Sequence, residues 1–180
     1  MVGRAPGQPH PRLLTGVRTA VRLLTLAVGR LKAGPERDLE ARYLDRARGM
    51  GRALGLAPVE LGEIAESAAR RPDARKTDEA GRLAAAMPGG CALIALDERG
   101  RSLTSPAFAD HIARERDGGR SDLVFVIGGP DGMADELRAR AGLVLSFGAM
   151  TWPHQMVRIL LAEQVYRAMT LLAGHPYHRA

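Results

Sequence analysis

Residues 91–96, Cys-Ala-Leu-Ile-Ala-Leu, form an apolar run bounded by the breaker Pro88-Gly89-Gly90 and the charged turn Asp97-Glu98-Arg99-Gly100. So short a run with no polar side to turn toward water predicts a central strand of a parallel sheet, covered on both faces. Similar strands are expected over residues 23–28, 58–64, 122–127 and 143–146. Between them lie longer segments with helix signals, at 35–54, 73–87, 105–116, 133–141 and 155–172. The first carries Glu36, Asp38 and Glu40 early and Arg46, Arg48 and Arg52 late, as the helix dipole prefers. Ser105 and Pro106 suit the cap and first turn of the third, and Gly174 and Pro176 stop the last. Strands alternating with helices predict an α/β fold: a mainly parallel sheet with helices on both faces.

A chain of 180 residues suits one domain with a sizeable core, expected over residues 21–180. No apolar run reaches the roughly 18 to 20 residues of a membrane span, so a soluble, cytoplasmic protein is expected. The single cysteine, Cys91, excludes an internal disulfide and is read as core, since no base accompanies it. The net charge of +6 suggests nucleic acid, yet half of it comes from Arg4, Arg12 and Arg18 in an acid-free leader. That leader contains Pro6, Pro9 and Pro11 and lacks the apolar core of a secretory signal. It reads as a transit-like segment or as the product of a misplaced start, with the protein proper opening near Val21. Weak order is expected over residues 1–20 in either case.

Ligands of parallel α/β sheets bind at the carboxyl ends of strands. Three loops qualify here: residues 97–100, 128–132 and 147–154. The middle one, Gly128-Gly129-Pro130-Asp131-Gly132, does not fit G-x-G-x-x-G, and no Lys-Ser/Thr pair follows it. A dinucleotide-dependent oxidoreductase and a phosphate loop are therefore disfavoured. Its glycines would let a ligand approach the backbone closely, or simply make a tight turn. At the far end, His175-Pro176-Tyr177-His178-Arg179 packs two of the five histidines into a proline-stiffened stub. A proton acceptor, an aromatic face and a fixed cation together suit a planar anionic partner such as RNA.

Four segments then carry a resemblance: residues 127–132 (IGGPDG), 151–158 (TWPHQMVR), 161–168 (LAEQVYRA) and 175–179 (HPYHR). In that order they resemble the large-subunit ribosomal RNA methyltransferase H family, small enzymes of the SPOUT class. The likeness runs from about Val21 to Ala180 and includes Ala27-Val28-Gly29 and Leu96-Asp97. Ala180 departs from the acidic residue that commonly ends family members. The resemblance implies a C-terminal trefoil knot, S-adenosylmethionine as methyl donor, a homodimer, and no metal. The implied reaction is methylation of N3 of a pseudouridine in large-subunit (23S) ribosomal RNA on assembled ribosomes.

Carried over by position, the resemblance implies donor contacts from Leu96, Gly129, Gly148, Ala149, Met150, Thr151, Trp152 and Pro153. Catalysis would fall to His178 as proton acceptor and Tyr177 as the residue that stacks on or orients the base. Arg158 and Lys32 are the expected substrate contacts. On its helix Arg158 has Leu161, Ala162 and Val165 for neighbours, so it calls for a buried carboxylate, a carbonyl cluster or a ligand anion. The alternative function is a ribosome-binding module that keeps the pocket without the chemistry.

Overall fold

The computed structural model describes residues 20–176, so the leader up to Thr19 and the tail from Tyr177 lie outside the described residues. Strands β1 (Arg22–Val28), β2 (Val59–Ile64), β3 (Ala92–Ser102), β4 (Asp122–Ile127) and β5 (Leu143–Ser146) alternate with helices. The helices are α1 (Pro35–Gly51), α2 (Pro72–Ala86), α3 (Ser105–Asp117), α4 (Asp135–Ala139) and α5 (His154–Leu172). The strands form one sheet in the order β2-β1-β4-β3-β5, with every pairing parallel. The α/β expectation holds.

Two-residue periodicity divides each buried strand between two cores. Leu23, Ala27, Leu123, Phe125 and Ile127 join Leu44 and Ala47 of α1, Phe108 and Ile112 of α3, and Leu161 and Val165 of α5. Leu24, Leu26, Val28, Val124 and Val126 turn the other way, toward Leu83 of α2 and Leu137 of α4. Helices α1, α3 and α5 therefore cover one face, and α2 and α4 the other. Among the described residues no helix is long and apolar enough to cross a membrane.

The chain departs from expectation where local sequence competes with pairing. β3 does not stop at Leu96: its register on β5 slips between Leu96 and Arg101, and Arg101 and Ser102 then pair with Leu145 and Ser146. Gly100 allows the slip, because a Cβ there would lie 2.7 Å from the Val144 carbonyl. The charged segment after Leu96 is thus a bulge held on the sheet. Thr104 rather than Ser105 caps α3, accepting from Ala107 N at 3.3 Å, while Ser105 Oγ donates to Gln164 of α5 at 2.8 Å. α4 is shorter than expected: Met133 and Ala134 are buried but precede it.

Candidate active site

The bulge of β3 after Leu96 and the carboxyl ends of β4 and β5 open into a cleft of about 540 Å³, within the range of roughly 300–1,000 Å³ usual for small-molecule sites. Leu96, Gly129, Gly148, Met150, Thr151 and Trp152 line it; Ala149 and Pro153, expected beside them, do not. The loop after β4 is a tight turn in which Gly132 N donates to Gly129 O at 2.9 Å. Ser146 Oγ holds the loop after β5, donating to Gly148 O at 2.9 Å and accepting from Gly148 N at 3.2 Å. Gly148 has φ +116 and open space where a Cβ would stand, so its peptide is bare to the cleft.

Helix α2 backs the middle loop. Arg75 grips Asp131 with two nitrogens, Nη2 at 3.0 Å from Oδ1, and this pairing holds the Asp131 carboxyl below the usual carboxylate range. Glu79 is 3% exposed and accepts from Ser67 N at 2.9 Å. A Cβ on Gly129 would sit 2.6 Å from Glu79 Oε2 and 3.1 Å from Val28 Cγ1. The missing side chain of Gly129 therefore leaves room for the protein's own carboxylate behind the loop. Gly129→Val is accordingly expected to cost about 1–3 kcal/mol of stability by overpacking, in addition to any loss of ligand binding. A thermal midpoint several degrees below that of the wild type would show it; an unchanged midpoint would place the clash elsewhere.

On the opposite wall Asp97, 6% exposed in its side chain, accepts from Arg99 N, Nε and Nη2, each at 2.9 Å. Arg138 Nη1 adds a contact at 3.5 Å. His154, the first residue of α5, lines the cleft, and its Nε2 is enclosed without a hydrogen-bond partner among the described residues. Burial, aided by the charge of Arg158, pushes its imidazole below the ordinary 6.5, so it is neutral at cellular pH. Cys91 is half-buried, and burial pushes its thiol up, away from the reactive thiolate.

Arg158 requires a correction. Its side chain is 0% exposed, so it is not available to an RNA phosphate. Nε and Nη2 reach Glu40 at 2.9 Å each, Nη2 reaches Glu63 at 2.6 Å, and Nη1 reaches Gly29 O at 3.3 Å. Of the partners its apolar neighbours called for, the structure supplies carboxylates and a carbonyl. Lys32 is exposed in the β1–α1 connection and is not among the residues lining the cleft. His175 N donates to Thr170 O at 2.8 Å as α5 ends, but Tyr177 and His178 lie outside the described residues.

The sequence reading missed Lys76, which lines the cleft, and Glu79. A signal for Glu79 existed: it stands four residues before Leu83 and shares its helix face, so a carboxylate occupies the apolar stripe of α2.

A parallel α/β sheet with a glycine-opened cleft at its strand ends defines a small-molecule-binding α/β domain, the general class to which this chain belongs. The profile described as "Predicted SPOUT methyltransferase" matches residues 21–178. Similar proteins include the "Ribosomal RNA large subunit methyltransferase H" of Xanthobacter autotrophicus, 58% identical over 89% of this chain and 100% of that protein. The protein of the same name from Rhizobium meliloti is 55% identical over the same shares. Among solved structures, the SpoU methyltransferase AviRb from Streptomyces viridochromogenes, in complex with the cofactor AdoMet, covers 84% of this chain and 59% of its own. It matches at a TM-score of 0.38 and 13% identity. The chain belongs to the SPOUT methyltransferase family, and it is a methyltransferase.

Proposed function

We propose that this methyltransferase uses S-adenosylmethionine to methylate large-subunit ribosomal RNA, at N3 of a pseudouridine on the assembled ribosome, in the cytoplasm. The observation that carries the reading is the identity of 58% with a protein named for that RNA, over that protein's whole length. The cleft fits the donor: its volume suits the molecule, and Gly148 and Gly132 leave peptide groups open where a Cβ would meet nothing. When bound, S-adenosylmethionine supplies a methyl carbon already activated by its sulfonium.

The protein's part is alignment and one proton transfer. The β3 bulge and the loops after β4 and β5 hold the cleft's shape through Asp97–Arg99, Arg75–Asp131 and Ser146–Gly148. The target nitrogen carries a hydrogen that must leave, and a neutral imidazole at His178 would accept it, with Tyr177 orienting the base. Met150, Trp152 and Met156 are exposed apolar side chains in and just beyond the loop after β5. They support a homodimer that covers this edge of the cleft. The same reading includes a trefoil knot in the C-terminal part of the chain.

The test is incubation with labelled donor and ribosomes from a strain lacking the modification. Label in the large-subunit RNA is expected. Donor binding without label would identify the non-catalytic ribosome-binding module instead.

A further inference from the structure

We propose that Glu79 makes the cleft selective for a cationic ligand, favouring the sulfonium donor over its neutral thioether product across the bare backbone of Gly129. The proposal rests on the reading of this cleft as the donor site. Glu79 is 3% exposed, and among the described residues its one hydrogen bond is from Ser67 N at 2.9 Å. Among the described residues no lysine or arginine reaches it within ion-pair distance; Arg75, one turn earlier on α2, pairs with Asp131 and acts on Glu79 only through space. One amide N–H compensates a buried carboxylate only in part.

Gly129 stands between this charge and the cleft. Its front lines the cleft, and behind it Glu79 Oε2 lies so close that a Cβ would come within 2.6 Å. No side chain can be interposed without moving one or the other. A carboxylate screened by little more than one peptide in a partly dry site acts strongly on a unit positive charge. Of the other acids lining the cleft, Asp131 is paired to Arg75, Asp97 to Arg99 and Arg138, and Asp135 to Arg138, while Glu98 is exposed to solvent, where screening weakens its pull. Lys76 lines the same cleft and suits a carboxylate, but donor and product both carry that group, so it does not discriminate between them.

The discrimination follows from the charge balance of the reaction. The carbon–sulfur bond breaks with its electron pair left on sulfur, a carbon–nitrogen bond forms, and the nitrogen's proton passes to the base. Sulfur therefore goes from a cation to a neutral thioether, and the attraction to Glu79 disappears with the transfer. Donor is held and product is released.

The test is calorimetric titration of the wild-type chain and Glu79→Gln with S-adenosylmethionine and S-adenosylhomocysteine. The wild type should prefer the donor. The variant should lose donor affinity by on the order of tenfold while product affinity stays within about threefold. Steady-state KM for the donor should rise without a fall in kcat. Equal weakening of both ligands would make Glu79 a packing residue and overturn the proposal, as would no change in either. If the wild type binds neither ligand, it is the reading of the cleft as donor site that fails. Should Glu79→Gln not fold, the wild type is titrated with an aza analogue whose protonated amine replaces the sulfonium. It should outbind the product by the same margin, and equal affinity would overturn the proposal.

Discussion

Arg158→Ala is expected to destabilise the protein by about 3–5 kcal/mol, because it leaves the buried Glu40 and the part-buried Glu63 without their cation. Arg158 joins α5 to Glu40 of α1, to Glu63 of β2 and to the Gly29 carbonyl at the end of β1. Glu63 also accepts from Leu31 N at 3.2 Å, so the same cluster fixes the β1–α1 connection. The penalty should depend on pH. Burial pushes the Glu63 carboxyl up, but hydrogen bonds from Arg158 and Leu31 N outweigh it and hold the group below its ordinary 4.5. A carboxyl depressed in the folded state stabilises the wild type above the ordinary value and loses that contribution as pH falls through the lowered one. Without Arg158 only Leu31 N and the charge of Arg37 still favour the Glu63 carboxylate, and protonation relieves the variant. The gap between the two proteins is therefore widest near pH 7 and narrows below about pH 4.5. Urea unfolding at several pH values measures it, and adding Glu40→Gln to the variant should recover part of the loss. A penalty under about 1 kcal/mol, constant with pH, would contradict this account.

Removing residues 177–180 is expected to lower methyl transfer to ribosomes by about a hundredfold or more, with donor binding and fold retained. The cut follows Pro176 because His175 N still closes the end of α5 on Thr170 O. Among the described residues the cleft is built mainly from the β3 bulge and the loops after β4 and β5. Single changes should separate the roles. An imidazole accepts a proton only in its neutral form, so if His178 is the base, His178→Ala should abolish the acid limb of the rate profile. Tyr177→Phe should cost less than Tyr177→Ala if the ring stacks on the base. Turnover by the truncated chain at the wild-type rate would remove the tail from the mechanism.

Much of the fold was legible because burial imposes period two on a strand wherever it lies. Leu23 and Leu24 face opposite cores, so β1 had to be mainly apolar on both faces, and its run could be read without a partner in view. The strand order could not be read, because pairing of β4 between β1 and β3 is decided by which faces fit, not by any local pattern. Nor could the bulge after Leu96: Gly100 reads as a turn until β5 lies beneath it. The loops that form the cleft announced themselves by their glycines. Long-range charge did not. Arg158 showed that it needed an anion, but Glu40 is 118 positions away, and nothing local distinguishes that carboxylate from its neighbours on α1. Glu79 marked itself as a carboxylate on the apolar stripe of α2, but its relation to Gly129 depends on the loop after β4 arriving beside it.

The most direct measurement is a mass-spectrometric map of large-subunit ribosomal RNA from a strain deleted for this chain, with and without a plasmid copy. The account predicts that one pseudouridine loses a single methyl group on deletion, regains it with the wild-type copy, and stays unmethylated with a copy lacking residues 177–180. An RNA map identical in the deleted and parent strains would contradict it.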